Sequence, residues 1–247
     1  LIITTPEEVL ALKRIGGIVA RVLEQMLAAL EPGMTTGELD ALGERALAAA
    51  GARSAPRLTY NFPGATCISV NEEVAHGIPG ERVIAAGDVV NVDVSAELDG
   101  YFGDTGGTRV VPPSNELKDR LCATTRAALD AALAVVRAGE RINVIGKAIE
   151  AAATAGGFRV VENLGSHGIG RKLHDSPGFI QGYDDPDDRR LLKEGMVITI
   201  EPFLSTRSRR LRQAADGWTL RGAPDNLSAQ YEHTLIITRG APILCTL

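Results

Sequence analysis

The chain has 247 residues, 45% apolar and 23% charged, an ordinary globular balance that supplies a sizeable core. Its formal net charge of −5 argues against a nucleic-acid footprint, and the cluster Arg207, Arg209, Arg210 and Arg212 reads as a solvated loop. No apolar run approaches the ~18–20 residues that cross a bilayer, and Cys67, Cys122 and Cys245 are too widely spaced for a disulfide framework or a zinc knuckle.

Apolar residues at helical spacing predict a first helix from Glu7 to Leu30, stopped by Pro32-Gly33. Thr36 offers an N-cap for a second helix, Glu38 to Ala50, ending at Gly51. The period then changes: Cys67 to Val70, Val89 to Val94 and Tyr101 to Val111 read as strands. The order repeats with a helix capped by Ser114 and running to about Val136. A second helix from about Asn143 to Ala155 follows, then strands at Met196 to Leu204 and Gln230 to Thr238. A shift of 106 residues superposes Gly33 on Gly139, Glu44 on Glu150, Ala46 on Ala152 and Gly51 on Gly157. Those identities are few, and the repeated element order is the better sign of duplication. The expectation is one α+β domain over residues 1–247, with pseudo-symmetric halves at about 7–112 and 113–247, sheet inside and helices outside. Asp184 to Asp188 is a loop within the second half.

Five residues invite metal chemistry. Asp93 interrupts the apolar strand Val89 to Val94, where Asp is depleted and almost never buried unpaired. Asp99-Gly100 signals a two-residue hairpin loop, which sets Asp93 opposite Gly106 and Asp104 opposite Ser95. Asp93 and Ser95 share a strand face, so the two carboxylates are diagonal neighbours roughly 7–8 Å apart at the backbone. Like charges so close call for a cation or a proton between them. His167 lies in Gly165-Ser166-His167-Gly168, Glu201 ends an apolar strand before Pro202, and Glu232 enters the apolar run Leu235 to Ile237. Each alone also has an ordinary reading, as a strand-end, exposed or structural residue. Together, four carboxylates and one imidazole suit a pair of hard to borderline divalent ions such as Mn, Fe, Co or Zn, a familiar hydrolase device.

Taken with their neighbours, these segments resemble methionine aminopeptidases of type I, over nearly the whole chain. The matching stretches are Cys67 to Glu72 leading to His76-Gly77-Ile78-Pro79, Asn91-Val92-Asp93, Gly103-Asp104-Thr105, His167 to Gly170 with His174, Glu201-Pro202, and Tyr231 to Thr234. The resemblance implies the pita-bread fold, two pseudo-symmetric halves with a central antiparallel sheet and outer helices. It implies two divalent ions: Asp93 on one, Asp104 and Glu232 bridging, His167 and Glu201 on the other. It also implies that Glu201 is the proton acceptor for the attacking water, that His76 contacts the scissile amide, and that His174 hydrogen-bonds the substrate carbonyl. Cys67, Phe62 and Trp218 correspond to positions lining the methionine side-chain pocket.

The implied activity is removal of the initiator methionine when a small residue follows. Nascent polypeptide N-termini are then the partners, with transient ribosome contact and neither nucleic acid nor membrane, and a monomer is expected. The N-terminal stretch Leu1 to Glu8 shows no basic n-region or apolar h-region, so the cytoplasm is the expected compartment. The chain departs from the family at three places. Ser166 stands where Gly usually precedes the ligand histidine, Leu173 replaces an aromatic before the second histidine, and Gly182-Tyr183 replaces His-Tyr. The 26 residues between His174 and Glu201 leave no room for the helical insertion of type II enzymes. A proline-directed peptidase of the same fold, prolidase or aminopeptidase P, and a catalytically inactive peptide-binding relative are the alternatives. The first usually carries an added N-terminal domain and lacks the Cys67-to-Pro79 signature; the second loses ligands that are present here.

Overall fold

The computed structural model describes residues 1–247. The elements in chain order are α1 (Pro6–Ala29), α2 (Thr36–Ala49), β1 (Arg53–Ser54), α3 (Ala55–Tyr60), β2 (Cys67–Val70), β3 (Glu73–Ala75), β4 (Val89–Leu98) and β5 (Tyr101–Val110). Then follow α4 (Glu116–Val135), α5 (Val144–Gly156), β6 (Arg159–Val160), β7 (Gly165–Gly168), β8 (Asp175–Gln181), β9 (Val197–Ile200) and β10 (Phe203–Ser205). The chain ends with β11 (Arg212–Gln213), β12 (Leu220–Arg221), β13 (Ser228–Gln230), β14 (His233–Ile236) and β15 (Ile243–Leu244).

The long helices fall where the apolar spacing predicts them, with the caps of α2 and α4 one residue off. α1 starts in a capping box between Thr5 and Glu8. α2 is capped by Thr35, not Thr36, because the box needs a glutamate three residues on, and Glu38 stands in that place. Thr36 instead spends its hydroxyl on the Gly80 carbonyl. Likewise Asn115, not Ser114, caps α4, through the amide of Lys118. Two predicted strands are each broken in two. The Met196–Leu204 stretch divides into β9 and β10 around Glu201-Pro202, since Pro cannot donate to a ladder. The Gln230–Thr238 stretch divides into β13 and β14 around Tyr231-Glu232.

β4 and β5 form the long hairpin, with Asp93 facing Gly106 and Ser95 facing Asp104, as the turn register requires. β1 and β2 lie along the other edge of β4. A second antiparallel sheet has the order β15-β14-β9-β7-β8. The two sheets meet at β5, where the Glu232 amide donates to the Gly106 carbonyl at 2.9 Å and the Asp104 amide donates to Thr234 Oγ1 at 3.0 Å. The central antiparallel sheet is thus two sheets sewn together along the free edge of β5. α1 and α2 cover the first with a core that includes Ile15, Val19, Met26, Val90 and Val92. α4 and α5 cover the second with Leu129, Ile145, Ile149, Ile198 and Leu204. A third cluster, including Leu12, Phe102, Ile169, Leu173 and Val197, fills the space between them. No helix is long and apolar enough to cross a membrane.

Candidate metal centre and substrate cavity

The seam between the sheets is where the carboxylates converge. Ligand-type atoms of Asp104, His167 and Glu232 all lie within 4.8 Å of one another, and all three residues are buried. His167 Nε2 is 3.4 Å from Glu201 Oε1 and 3.8 Å from Asp104 Oδ2, which brings Glu201 into the same group. Asp93 lies outside the tightest trio but on the same wall, and opens onto the same cavity as Asp104, His167 and Glu201.

Each of these residues is held through its backbone by a long-range contact. The His167 amide donates to Thr199 Oγ1 at 3.1 Å, and Thr199 in turn donates to Glu201 Oε1 at 3.1 Å. The Glu201 amide donates to Ser166 Oγ at 3.0 Å. Ser166, where the family usually has glycine, therefore supplies the acceptor that the β7–β9 ladder lacks at this point. Glu232 Oε2 accepts from Gln230 Nε2 at 3.0 Å, and the Gln230 carbonyl oxygen Oε1 accepts from Asn91 at 2.8 Å. That relay crosses from β4 to β13, and Gly106 makes room for it, since any side chain there would run into the Gln230 carboxamide. Sequence reasoning singled out neither Gln230 nor Thr199. An amide two residues before a ligand, on a strand face already carrying carboxylates, was the available signal.

Two buried oxygens, Asp104 Oδ1 and Glu232 Oε1, have no hydrogen-bond partner. Burial, then Glu232 and Asp93, holds Asp104 well above the carboxylate range. Burial, followed by neighbouring carboxylates, does the same to Glu201 and Glu232, and burial pushes Asp93 up to about 6. His167 is pushed down to about 3, chiefly by burial and next by His174, so its imidazole is neutral. A neutral imidazole and clustered carboxylates with unsatisfied oxygens form a donor set that a divalent cation fits, because it supplies the charge and the bonds these atoms lack.

The cavity above this floor has a volume of about 370 Å³. His76, Cys67, Phe62, Leu173, His174 and Trp218 all line it. Phe62 and Trp218 meet edge to face, with ring centroids 5.2 Å apart. Cys67 pairs across β2–β4 with Asp93, and burial together with that carboxylate holds its thiol well above the ordinary value, so it is neutral. β12 pairs with β3, which brings the Trp218 turn beside the residue that follows β3, His76. Asp216 shapes that turn by accepting from the amides of Trp218 and Thr219. His76 has φ of 55°, a left-handed conformation costly for a side-chain-bearing residue and found where a ring must be aimed. Leu173 is 3% exposed and belongs to the core between the sheets as well as to the cavity wall. Gly182 lies outside the cavity lining.

The comparisons agree with this arrangement. Residues 11–239 match the model of metallopeptidase family M24. The chain is 45% identical to methionine aminopeptidase 2 of Bacillus subtilis over 247 residues, covering 100% of this chain and 99% of that one. It is similar to the crystal structure of methionine aminopeptidase from Thermotoga maritima, with a TM-score of 0.95, 33% identity, and coverage of 100% and 99%. The prolidase from Pyrococcus furiosus shares the fold at a TM-score of 0.80 and 23% identity, but this chain covers only 65% of it. With a carboxylate-rich metal floor beneath an apolar cavity and full-length similarity on both counts, the chain belongs to metallopeptidase family M24, in its methionine aminopeptidase branch.

Proposed function

We propose that this protein hydrolyses the peptide bond after an N-terminal methionine when a small residue follows. The observation that carries the reading is the joining of two unlike surfaces in one cavity: a floor of buried carboxylates with unsatisfied oxygens, and a wall of thiol and aromatic rings. A thioether is soft and unbranched, and suits the wall formed by Cys67, Phe62 and Trp218. Asp93, Asp104, His167, Glu201 and Glu232 would hold two divalent ions, with Asp104 and Glu232 between them. Bound there, such ions activate water at neutral pH and polarise a carbonyl. Glu201 accepts the proton of the attacking water, its Oε1 steadied by Thr199. His76 and His174, neutral at pH 7 because burial lowers both, hydrogen-bond the scissile amide and its carbonyl oxygen. On this reading the partners are nascent polypeptide N-termini, met in the cytoplasm by a monomer in transient contact with the ribosome, with no nucleic-acid or membrane partner.

The test is turnover of Met-Ala-Ser by metal-stripped protein re-supplied with one divalent ion at a time, Co, Mn, Fe and Zn in turn. Restored release of methionine is the expected result. Preference for an X-Pro peptide over Met-Ala-Ser would replace this reading with a proline-directed one.

A further inference from the structure

The two histidines that face the substrate are held differently. His76 is fixed by its backbone, whereas His174 sits at the exposed mouth of the cavity in the turn between β7 and β8. The hydrogen bond of its ring runs from Nδ1 to the Tyr60 hydroxyl, 2.6 Å away and 114 residues distant in sequence. Tyr60 is the last residue of α3, and Asn61, with φ of 56°, turns the chain away directly after it. The two rings are 5.5 Å apart and tilted by 49°, so the hydroxyl, not ring stacking, makes the contact. The other face of the arrangement is the His167 ring, 4.2 Å from that of His174.

We propose that Tyr60 is a positioning residue: its hydroxyl donates to His174 Nδ1, which fixes the imidazole proton on Nε2 and leaves that N–H free to bind the carbonyl oxygen of the scissile bond. This rests on the aminopeptidase reading above. The direction of the bond follows from acceptor strength, because an unprotonated imidazole nitrogen is a better acceptor than a phenol oxygen. Burial raises the Tyr60 phenol above its ordinary value, so it keeps its proton. A neutral imidazole carries one N–H. Once Nδ1 accepts, that proton must reside on Nε2. Without the hydroxyl, the Nδ1–H form competes; its Nε2 presents a lone pair that repels a carbonyl oxygen.

The experiment compares wild type with Tyr60→Phe, which removes only the hydroxyl of a ring that is 44% exposed. Long-range ¹H–¹⁵N spectra of metal-free, ¹⁵N-labelled protein report the tautomer directly; the chain has four histidines, and His174→Gln assigns the signal. Wild-type His174 is expected as the Nε2–H form, shifting toward the Nδ1–H form in Tyr60→Phe. In metal-loaded protein, kcat for Met-Ala-Ser is expected to fall roughly tenfold, the effect of losing one neutral hydrogen bond, with KM little changed. An Nδ1–H tautomer in the wild type, identical tautomers in both proteins, or an unchanged kcat overturns the role. Wild-type protein that leaves Met-Ala-Ser intact overturns the aminopeptidase reading instead, while the tautomer, read without metal or substrate, still decides the Tyr60 bond.

Discussion

The floor and the wall of the cavity are built on different principles. Floor residues lie in or beside strands that pair across the molecule, and Asp104, His167, Glu201 and Glu232 are all buried. Their amides are taken up by Thr234, Thr199, Ser166 and Gly106. Most wall residues come from short pieces: Phe62 follows the six-residue α3, His76 follows β3, and Trp218 lies in a turn shaped by one aspartate, while Cys67 alone of these four sits in a sheet strand, β2. Buried carboxylates whose charges would repel need a rigid frame that holds them together, protonated, until a cation takes the protons' place. A wall that selects a flexible side chain by shape needs less.

If that contrast is correct, damage to the floor should be far more costly than damage to the wall. Asp104→Ala or Glu232→Ala should abolish turnover and bound metal together, because each removes a buried carboxylate shared by the cluster. Metal content by elemental analysis and kcat/KM for Met-Ala-Ser check this, and full activity in either variant would break the comparison. His76→Ala, a change in the wall, should lower kcat by ~10²–10⁴ while metal content stays near wild type. Metal loss equal to that of Asp104→Ala would move His76 into the floor.

A pH series sharpens the same division. Metal-free protein holds protons on carboxylates whose folded pKa values are raised by burial above their unfolded values, Asp93 to about 6 and Asp104 well above the ordinary carboxylate range. Such groups stabilise the fold at low pH and lose that contribution as pH rises through the folded pKa. A divalent cation must displace these protons, so its binding strengthens over the same range. The gap in Tm between metal-loaded and metal-free protein should therefore widen from pH 5 to pH 7, and a constant gap would contradict the buried, proton-bearing floor.

Ser166→Gly tests the frame itself. It restores the usual family residue but leaves the Glu201 amide without its acceptor, and should cost about 1–3 kcal/mol in urea unfolding of metal-free protein. The last change is at Leu173. Leu173→Phe adds bulk where the wall grades into the core, and should cost ~1–3 kcal/mol of stability. It should also raise the preference for Met over norleucine, a contrast worth only ~1–3 kcal/mol in an apolar pocket. Equal kcat/KM ratios for Met-Ala-Ser and norleucine-Ala-Ser in wild type and variant would show that Leu173 serves the core alone.

Local signals carried much of this into the sequence. Apolar spacing marked α1, α2, α4 and α5, and Asp99-Gly100 set the hairpin register that puts Asp93 and Asp104 on one face. Both depend on residues within a few positions of one another, where propensity and turn geometry decide the outcome. Pro202 marked the break after Glu201, but the break at Tyr231-Glu232, the capture of the Glu201 amide by Ser166, the Asn91–Gln230–Glu232 relay and the Tyr60–His174 bond had no such local mark. The partners in these bonds are 35, 139 and 114 residues apart, apart from the short Gln230–Glu232 step. A hydroxyl or carboxamide shows no periodicity that reveals its partner, so only the packing of one sheet against the edge of the other decided which groups meet.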